Sequence, residues 1–161
     1  MKITGIVTVI CIGLALLLSP FGRTDVAELL PVQTLCLRQE AGQCCLVTDG
    51  GLMGQGGNPE EALYDLRRTA PGKVVFSTTR QLVVEDSGAA YFKPLLNLEA
   101  LRPGTELYWA DGPVDPADAA GWLDRHGVNT TVSRVQAAWL AGERVSLPLL
   151  VGGEGRYEII A

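Results

Sequence analysis

The stretch DGGLMGQGGNPEEAL, residues 49–63, decides how the chain folds, because it joins an apolar strand-like run to a helix. The glycines of residues 50–57 predict a flexible connection between the two elements. Asn58 then fits the N-cap position, Pro59 the first helical position, and Glu61 the acidic position of a capping box. A helix is therefore expected to begin here. The glycine-rich connection lacks the Lys-Ser/Thr pair with which a P-loop binds phosphate.

Two apolar runs precede this stretch and predict a hairpin. Residues 29–38 and 43–49 are rich in apolar residues with strand-like alternation. A four-residue loop over 39–42 places Cys36 opposite Cys45, and directly opposed cysteines can form a disulfide in an oxidising compartment. The alternative is that all cysteines of the hairpin are small buried hydrophobes, as free cysteines commonly are.

The remainder of the chain alternates apolar runs with helix starts. Further strands are expected over 73–78, 80–85, 106–110, 145–151 and 156–160, and further helices over 87–101, 115–125 and 131–141. Asp115 and Pro116 repeat the combination of a capping residue and a proline at a helix start. The pattern predicts a single α+β (or α/β) domain, in which a mixed sheet is flanked by about four helices.

An uncharged apolar run lies near the N-terminus, over residues 3–18. A helix of this length spans about 24 Å, slightly less than a hydrocarbon core of about 30 Å. We expect residues 1–22 to form a transmembrane helix that anchors a single domain, residues 23–161. A cleaved signal peptide and lipidation at Cys11 are the alternatives. Lys2 and the positive amino terminus favour a single-pass protein of the cell membrane, with its C-terminal domain outside the cytoplasm.

The composition argues against several classes of function. The chain has 161 residues, 47% of them hydrophobic, and a net charge of −5. Since Lys2 is the only charged residue among the first 22, the domain is more acidic still, and nucleic acid is not an expected partner. His126 is the only histidine, no nucleophile motif accompanies it, and no Cys-x-x-Cys pair is present. We therefore expect no catalytic, cofactor-binding or metal-binding residues, and place His126 at a helix end.

Several short motifs resemble a known family. They are LPVQTLCL at 30–37, Glu-Ala-Leu at 61–63, KVVFSTT at 73–79, QLVVE at 81–85, ELYWADG at 106–112 and SLPLL at 146–150. In this order they are similar to the N-terminal domain of the Ger(x)C family, the C subunits of nutrient germinant receptors in endospore-forming bacteria. The resemblance covers about residues 29–160. The chain departs from the family in its shorter length, in having no convincing lipobox, and in a threonine, Thr78 or Thr79, where a histidine is common.

The resemblance implies a non-enzymatic domain that assembles with integral membrane or membrane-associated proteins in spore germination or sporulation. It implies no cofactor. An N-terminal anchor raises the effective concentration of such a domain near membrane partners. The expected contact is an edge strand or an exposed tryptophan among Trp109, Trp122 and Trp139. The alternative is a generic extracytoplasmic module that binds a protein or the cell wall.

Overall fold

A computed structural model describes residues 28–153 and 156–160. In the described residues the strands are β1 Leu29–Pro31, β2 Thr34–Glu40, β3 Gln43–Thr48, β4 Met53–Gly56, β5 Lys73–Val75, β6 Gln81–Glu85, β7 Glu106–Ala110, β8 Leu149–Gly153 and β9 Arg156–Ile160. The helices there are α1 Pro59–Thr69, α2 Phe92–Leu95, α3 Pro116–Leu123 and α4 Val132–Leu140. This arrangement is the single α+β domain that the sequence predicted.

The predicted anchor, residues 1–22, and the predicted domain boundary lie outside the described residues. Among residues 28–153 and 156–160, no helix is both long and apolar enough to cross a membrane. The anchor therefore stays a prediction from the sequence.

Seven strands form one mixed sheet in the order β4-β3-β2-β6-β7-β8-β9. The four central strands, β2, β6, β7 and β8, run parallel. At one end the sheet continues with β3 and then β4, each antiparallel to its neighbour, and at the other end it continues with β9, which is antiparallel to β8. The short strands β1 and β5 pair with each other in a separate parallel ribbon. The edges of the large sheet are therefore β4 and β9.

Helices cover both faces of the sheet. Side chains of a strand alternate between its faces, so Leu35 and Leu37 of β2 join one apolar core and Cys36 joins the other. The first core packs under α1, α2 and α4, and the second packs under α3. Parallel strands with helices on both faces explain why β6 is buried along its whole length.

The two predicted helix starts are confirmed. The Asn58 side chain accepts a hydrogen bond from the backbone N–H of Glu61 at 2.9 Å, and the Glu61 carboxylate accepts one from Gly57 N at 2.8 Å. At α3 the Asp115 carboxylate accepts a hydrogen bond from Ala117 N at 2.8 Å. Both caps satisfy amides that the first helical turn leaves free.

The register of the first hairpin differs from the prediction. Its turn is the two residues Ala41 and Gly42, which both have positive φ angles, of 49° and 83°. This combination is that of a tight two-residue hairpin turn. The shorter turn shifts the pairing by two positions, so Val47 lies opposite Cys36, and Arg38 lies opposite Cys45. The predicted four-residue loop and the direct opposition of the two cysteines are wrong.

Several other elements differ from the prediction. The strand expected over 29–38 is divided into β1 and β2, the one expected over 73–78 ends at Val75, and the one expected over 145–151 begins at Leu149. The glycine-rich connection contains a strand, β4, which pairs antiparallel with β3. The helix expected over 87–101 is instead a 3-10 helix at Asp86–Tyr91, the single turn α2 and further turns. Pro94 in this segment has no backbone N–H and so interrupts regular helical hydrogen bonding.

Candidate protein-binding surface

Cys36 and Cys45 lie on the same face of the sheet and are both buried and free. Because they occupy diagonal positions of the hairpin, their Cα atoms are about 7–8 Å apart by standard sheet geometry. Most disulfides join Cα atoms that are about 4.4–6.8 Å apart, and the commonest separation is about 5.5–6 Å. The direct opposition of Cys36 and Cys45, from which the disulfide was predicted, is therefore not present. The bond itself stays a prediction.

The buried thiols are held in their protonated form. Burial raises the pKa of Cys36 well above its ordinary value, and the neighbouring Glu85 carboxylate raises it further. The Cys36 thiol donates to Glu85 Oε1 at 3.5 Å, and the same oxygen accepts from Val114 N at 3.0 Å. Burial also raises the pKa of Cys44 to about 12. Because the thiolate is the reactive form, these groups are poor nucleophiles and poor metal ligands.

His126 lies just beyond α3, at the helix end where it was predicted. Its ring stacks on Trp122 with centroids 4.0 Å apart and planes 11° apart, and Nδ1 contacts Trp122 O at 2.8 Å. Neither contact is with a nucleophile. Within the described part of the chain, no three His, Cys, Asp or Glu side chains are grouped so that they could hold a metal ion.

A polar cavity of about 450 Å³ lies near the amino-terminal ends of β6 and β7. Its charged side chains contact one another, a backbone carbonyl or a tyrosine hydroxyl. Arg80 pairs with Asp124 at 2.8 Å, Arg102 donates to Ser77 O at 3.1 Å, and Glu106 accepts from the Tyr108 hydroxyl at 2.8 Å. Each charged side chain of the cavity therefore has a partner within the domain, and these contacts have a structural role.

An apolar groove lies on the face of the sheet that α4 partly covers. We call it the aromatic groove. It has a volume of about 380 Å³ and is lined by Phe92, Trp109, Val135, Trp139, Val145, Leu147 and Leu149. The Phe92 ring meets Trp109 edge-on at 5.9 Å and Trp139 at 5.6 Å between centroids. Three aromatic rings in edge contact form a rigid surface of a kind that protein interfaces favour.

The aromatic groove is open to solvent at α4. Trp139 lies in the last turn of that helix and is 39% exposed, and the next residue, Leu140, is 91% exposed. Lys93 lies over the Trp139 ring, 5.9 Å from its centroid. Of the three candidate tryptophans, Trp139 is therefore the exposed one, whereas Trp109 and Trp122 pack against the two cores.

The same apolar face continues to the edge of the sheet. Trp109 of β7 pairs with Leu149 of β8, which in turn pairs with Ile160 of β9. Directly paired residues lie on one face, so the three side chains form a row across three neighbouring strands. Ile160, at the end of this row, is 51% exposed. The aromatic groove thus leads to β9, which is an edge strand in the part of the chain that the structure describes.

Comparison with known proteins identified no relative: no family model, no curated protein and no solved structure matches the chain. The resemblance to the Ger(x)C family therefore stays a prediction from the motifs quoted above.

Proposed function

We propose that the chain is a non-enzymatic, membrane-tethered domain that acts outside the cytoplasm and assembles with a membrane-associated protein. The apolar run at 3–18 supports the tether, and the motif resemblance supports a role in spore germination or sporulation. The observation that carries the proposal is the aromatic groove with its exposed Trp139 and Leu140.

Single exposed apolar side chains are common on protein surfaces, whereas a cluster of them calls for an explanation. Trp139, Leu140 and Ile160 all belong to the aromatic groove or lie directly beside it. Contiguous apolar surface of this kind marks interaction sites. A protein partner that covers the Trp139 ring removes it from water, and tryptophan is among the residues that contribute most to binding when an interface buries them.

The titratable groups of the described residues support a binding role over a catalytic one. The thiols have raised pKa values, the His126 ring stacks on Trp122, and the carboxylates of the polar cavity are engaged by Arg80 and Tyr108. A general base needs a nucleophile within hydrogen-bond reach. The only contact of a His126 ring nitrogen in the described structure is with a backbone carbonyl.

Deleting the gene in a spore-forming host is expected to slow germination without lowering spore yield. The measurement is the loss of optical density of purified spores after nutrient addition. Wild-type chain is expected to restore the rate, whereas Trp139→Glu is not, because a carboxylate in the groove must be desolvated on binding. Trp139→Phe, which keeps an aromatic ring, is expected to restore most of it.

The matched control is Tyr64→Glu. Tyr64 is 69% exposed on α1, away from the groove, so this variant is expected to germinate like the wild type. Thermal melting of each variant separates loss of binding from loss of folding. Normal germination of the deletion strain contradicts the germination role, and full activity of a folded Trp139→Glu chain contradicts assembly through the groove.

A further inference from the structure

Among residues 28–153 and 156–160, no strand pairs with the outer side of β9. Trp109 N donates to Pro148 O at 2.9 Å, so the backbone groups of Pro148 point toward β7. Successive residues of a strand point their backbone groups to opposite sides, and those of Leu149 therefore point toward β9. Given the pairing of Leu149 with Ile160, the backbone groups of Tyr157 and Ile159 point away from the sheet.

The opposite edge of the sheet is not open in the same way. Strand β4 packs tightly against α1, and its Gln55 N already donates to the Asp65 carboxylate at 3.2 Å. At β9, by contrast, the apolar row that begins in the aromatic groove ends in the exposed Ile160. An extended segment added at β9 satisfies the free backbone groups and extends this row by one strand.

Three exposed carboxylates lie beside this edge. Glu158 is exposed on the same face as Ile160, and Asp115 and Asp118 are exposed beside Tyr157 on the other face. The Tyr157 hydroxyl donates to Asp115 O at 3.5 Å. In an added antiparallel strand, the residue opposite Glu158 forms a non-hydrogen-bonded pair, in which the side chains approach most closely. A positive charge is favoured there and a negative charge is disfavoured.

A second copy of the chain fits this edge poorly. Within the described strand, Arg156–Ile160, antiparallel pairing of two β9 strands sets the outward groups of Tyr157 against those of Ile159 of the other copy when the two-fold axis passes beside Glu158. That register places Glu158 against Glu158 of the other copy, in the close pair where like charges are destabilising. The charge pattern therefore favours a different protein.

We infer that the partner of the proposed assembly adds an antiparallel strand to β9 and carries Lys or Arg opposite Glu158. This inference rests on the proposed function, since it names the chemistry of the partner that meets the aromatic groove at its open edge. The backbone of β9 supplies affinity, and Glu158 selects the charge of the incoming strand.

The test uses three fluorescein-labelled heptapeptides with blocked ends and the full-length chain in detergent micelles. The first peptide is Thr-Val-Thr-Lys-Thr-Val-Thr, and the second has Glu in place of Lys. The third has the Lys sequence with N-methyl groups on the two threonines that flank Lys, because those residues lie opposite Tyr157 and Ile159 and point their N–H groups toward β9. Fluorescence anisotropy is expected to show binding of the Lys peptide, weaker binding of the Glu peptide by about fivefold, and none of the N-methylated peptide.

Variants of the chain separate the edge from general electrostatics. Glu158→Lys is expected to reverse the preference between the Lys and Glu peptides. Glu99→Lys changes the net charge equally at an exposed position far from β9 in sequence, and is expected to leave the preference unchanged. Tight binding of the N-methylated peptide, no binding of any peptide, or the same preference in Glu158→Lys overturns the inference. A dimer of the chain that the Lys peptide dissociates also overturns it, in favour of a second copy.

The outcomes distinguish this inference from the proposed function. If the peptides fail while Trp139→Glu still abolishes function in spores, only the strand addition is wrong. If a folded Trp139→Glu chain functions normally, assembly through the aromatic groove is wrong whatever the peptides show.

Discussion

Replacing Gly54 by alanine is expected to lower the free energy of unfolding by about 3 kcal/mol or more. The added methyl group overlaps backbone atoms, which cannot move aside as a flexible side chain can. Gly54 lies in β4 beneath α1. A methyl group there meets the backbone oxygen of Ala62 and lies 2.5 Å from both N and Cβ of Leu66. Relief requires α1 to move away from the sheet, which opens the first apolar core.

The measurement is urea unfolding of the full-length chain, followed by circular dichroism. Gly104→Ala is the matched control, since an added Cβ at Gly104 meets no atom within 4 Å. Its expected effect is within about 0.5 kcal/mol of zero. Equal stabilities of the Gly54→Ala and Gly104→Ala variants contradict the close packing of α1 on β4.

Replacing Leu82 by alanine is expected to cost about 3 to 5 kcal/mol of unfolding free energy, the range found for buried leucines. Leu82 is fully buried in β6, between Leu35 of β2 and Leu107 of β7. Truncation leaves a cavity at the centre of the sheet, where strands on both sides restrict collapse.

Leu140→Ala is the matched control for this truncation, because it removes the same atoms from a side chain that is 91% exposed. Its expected cost in the same unfolding measurement is below about 0.5 kcal/mol. The contrast bears on function, since a large apolar side chain that adds little to stability is available for a contact. A cost for Leu140→Ala similar to that for Leu82→Ala shows instead that Leu140 is structural.

Local signals in the sequence were enough to predict the helix starts at Asn58 and Asp115. A capping side chain acts within one turn of its own position, so its neighbours in sequence determine its role. The same holds for the apolar strands of the central sheet, whose buried faces follow from composition and alternation. These elements are confirmed because the relevant interactions are local.

The register of the first hairpin was not predictable from alternation. A shift of one residue moves every side chain to the other face, but a shift of two residues keeps the faces unchanged. Cys36 and Cys45 therefore lie on one face in both registers. The turn at Ala41 and Gly42 decides between them, and its positive φ angles are a conformational feature that the apolar pattern does not record.

Strand β4 and the exposed Trp139 depend on contacts distant in sequence. Gly54 and Gly56 have the low strand propensity typical of glycine, yet the close approach of α1 to both positions requires residues without a Cβ. Trp139 has the helical spacing of a core residue, but α4 ends at Leu140, where part of the aromatic groove remains uncovered. Neither fact is contained in the local sequence.

The most direct test of assembly through the aromatic groove is site-specific photocrosslinking in the native host. A p-benzoylphenylalanine residue replaces Trp139 in one strain and Tyr64 in a control strain. Both natural residues are aromatic and exposed, by 39% and 69%, but only Trp139 lines the groove. Irradiated membrane fractions are analysed by immunoblotting and mass spectrometry.

Assembly through the groove predicts one discrete adduct, with a membrane-associated protein, from position 139 and none from position 64. Peptide mapping of the adduct is expected to place the crosslink next to an extended, basic segment of the partner. The absence of an adduct at position 139, or the same adducts from both positions, contradicts the assembly of this domain through the aromatic groove.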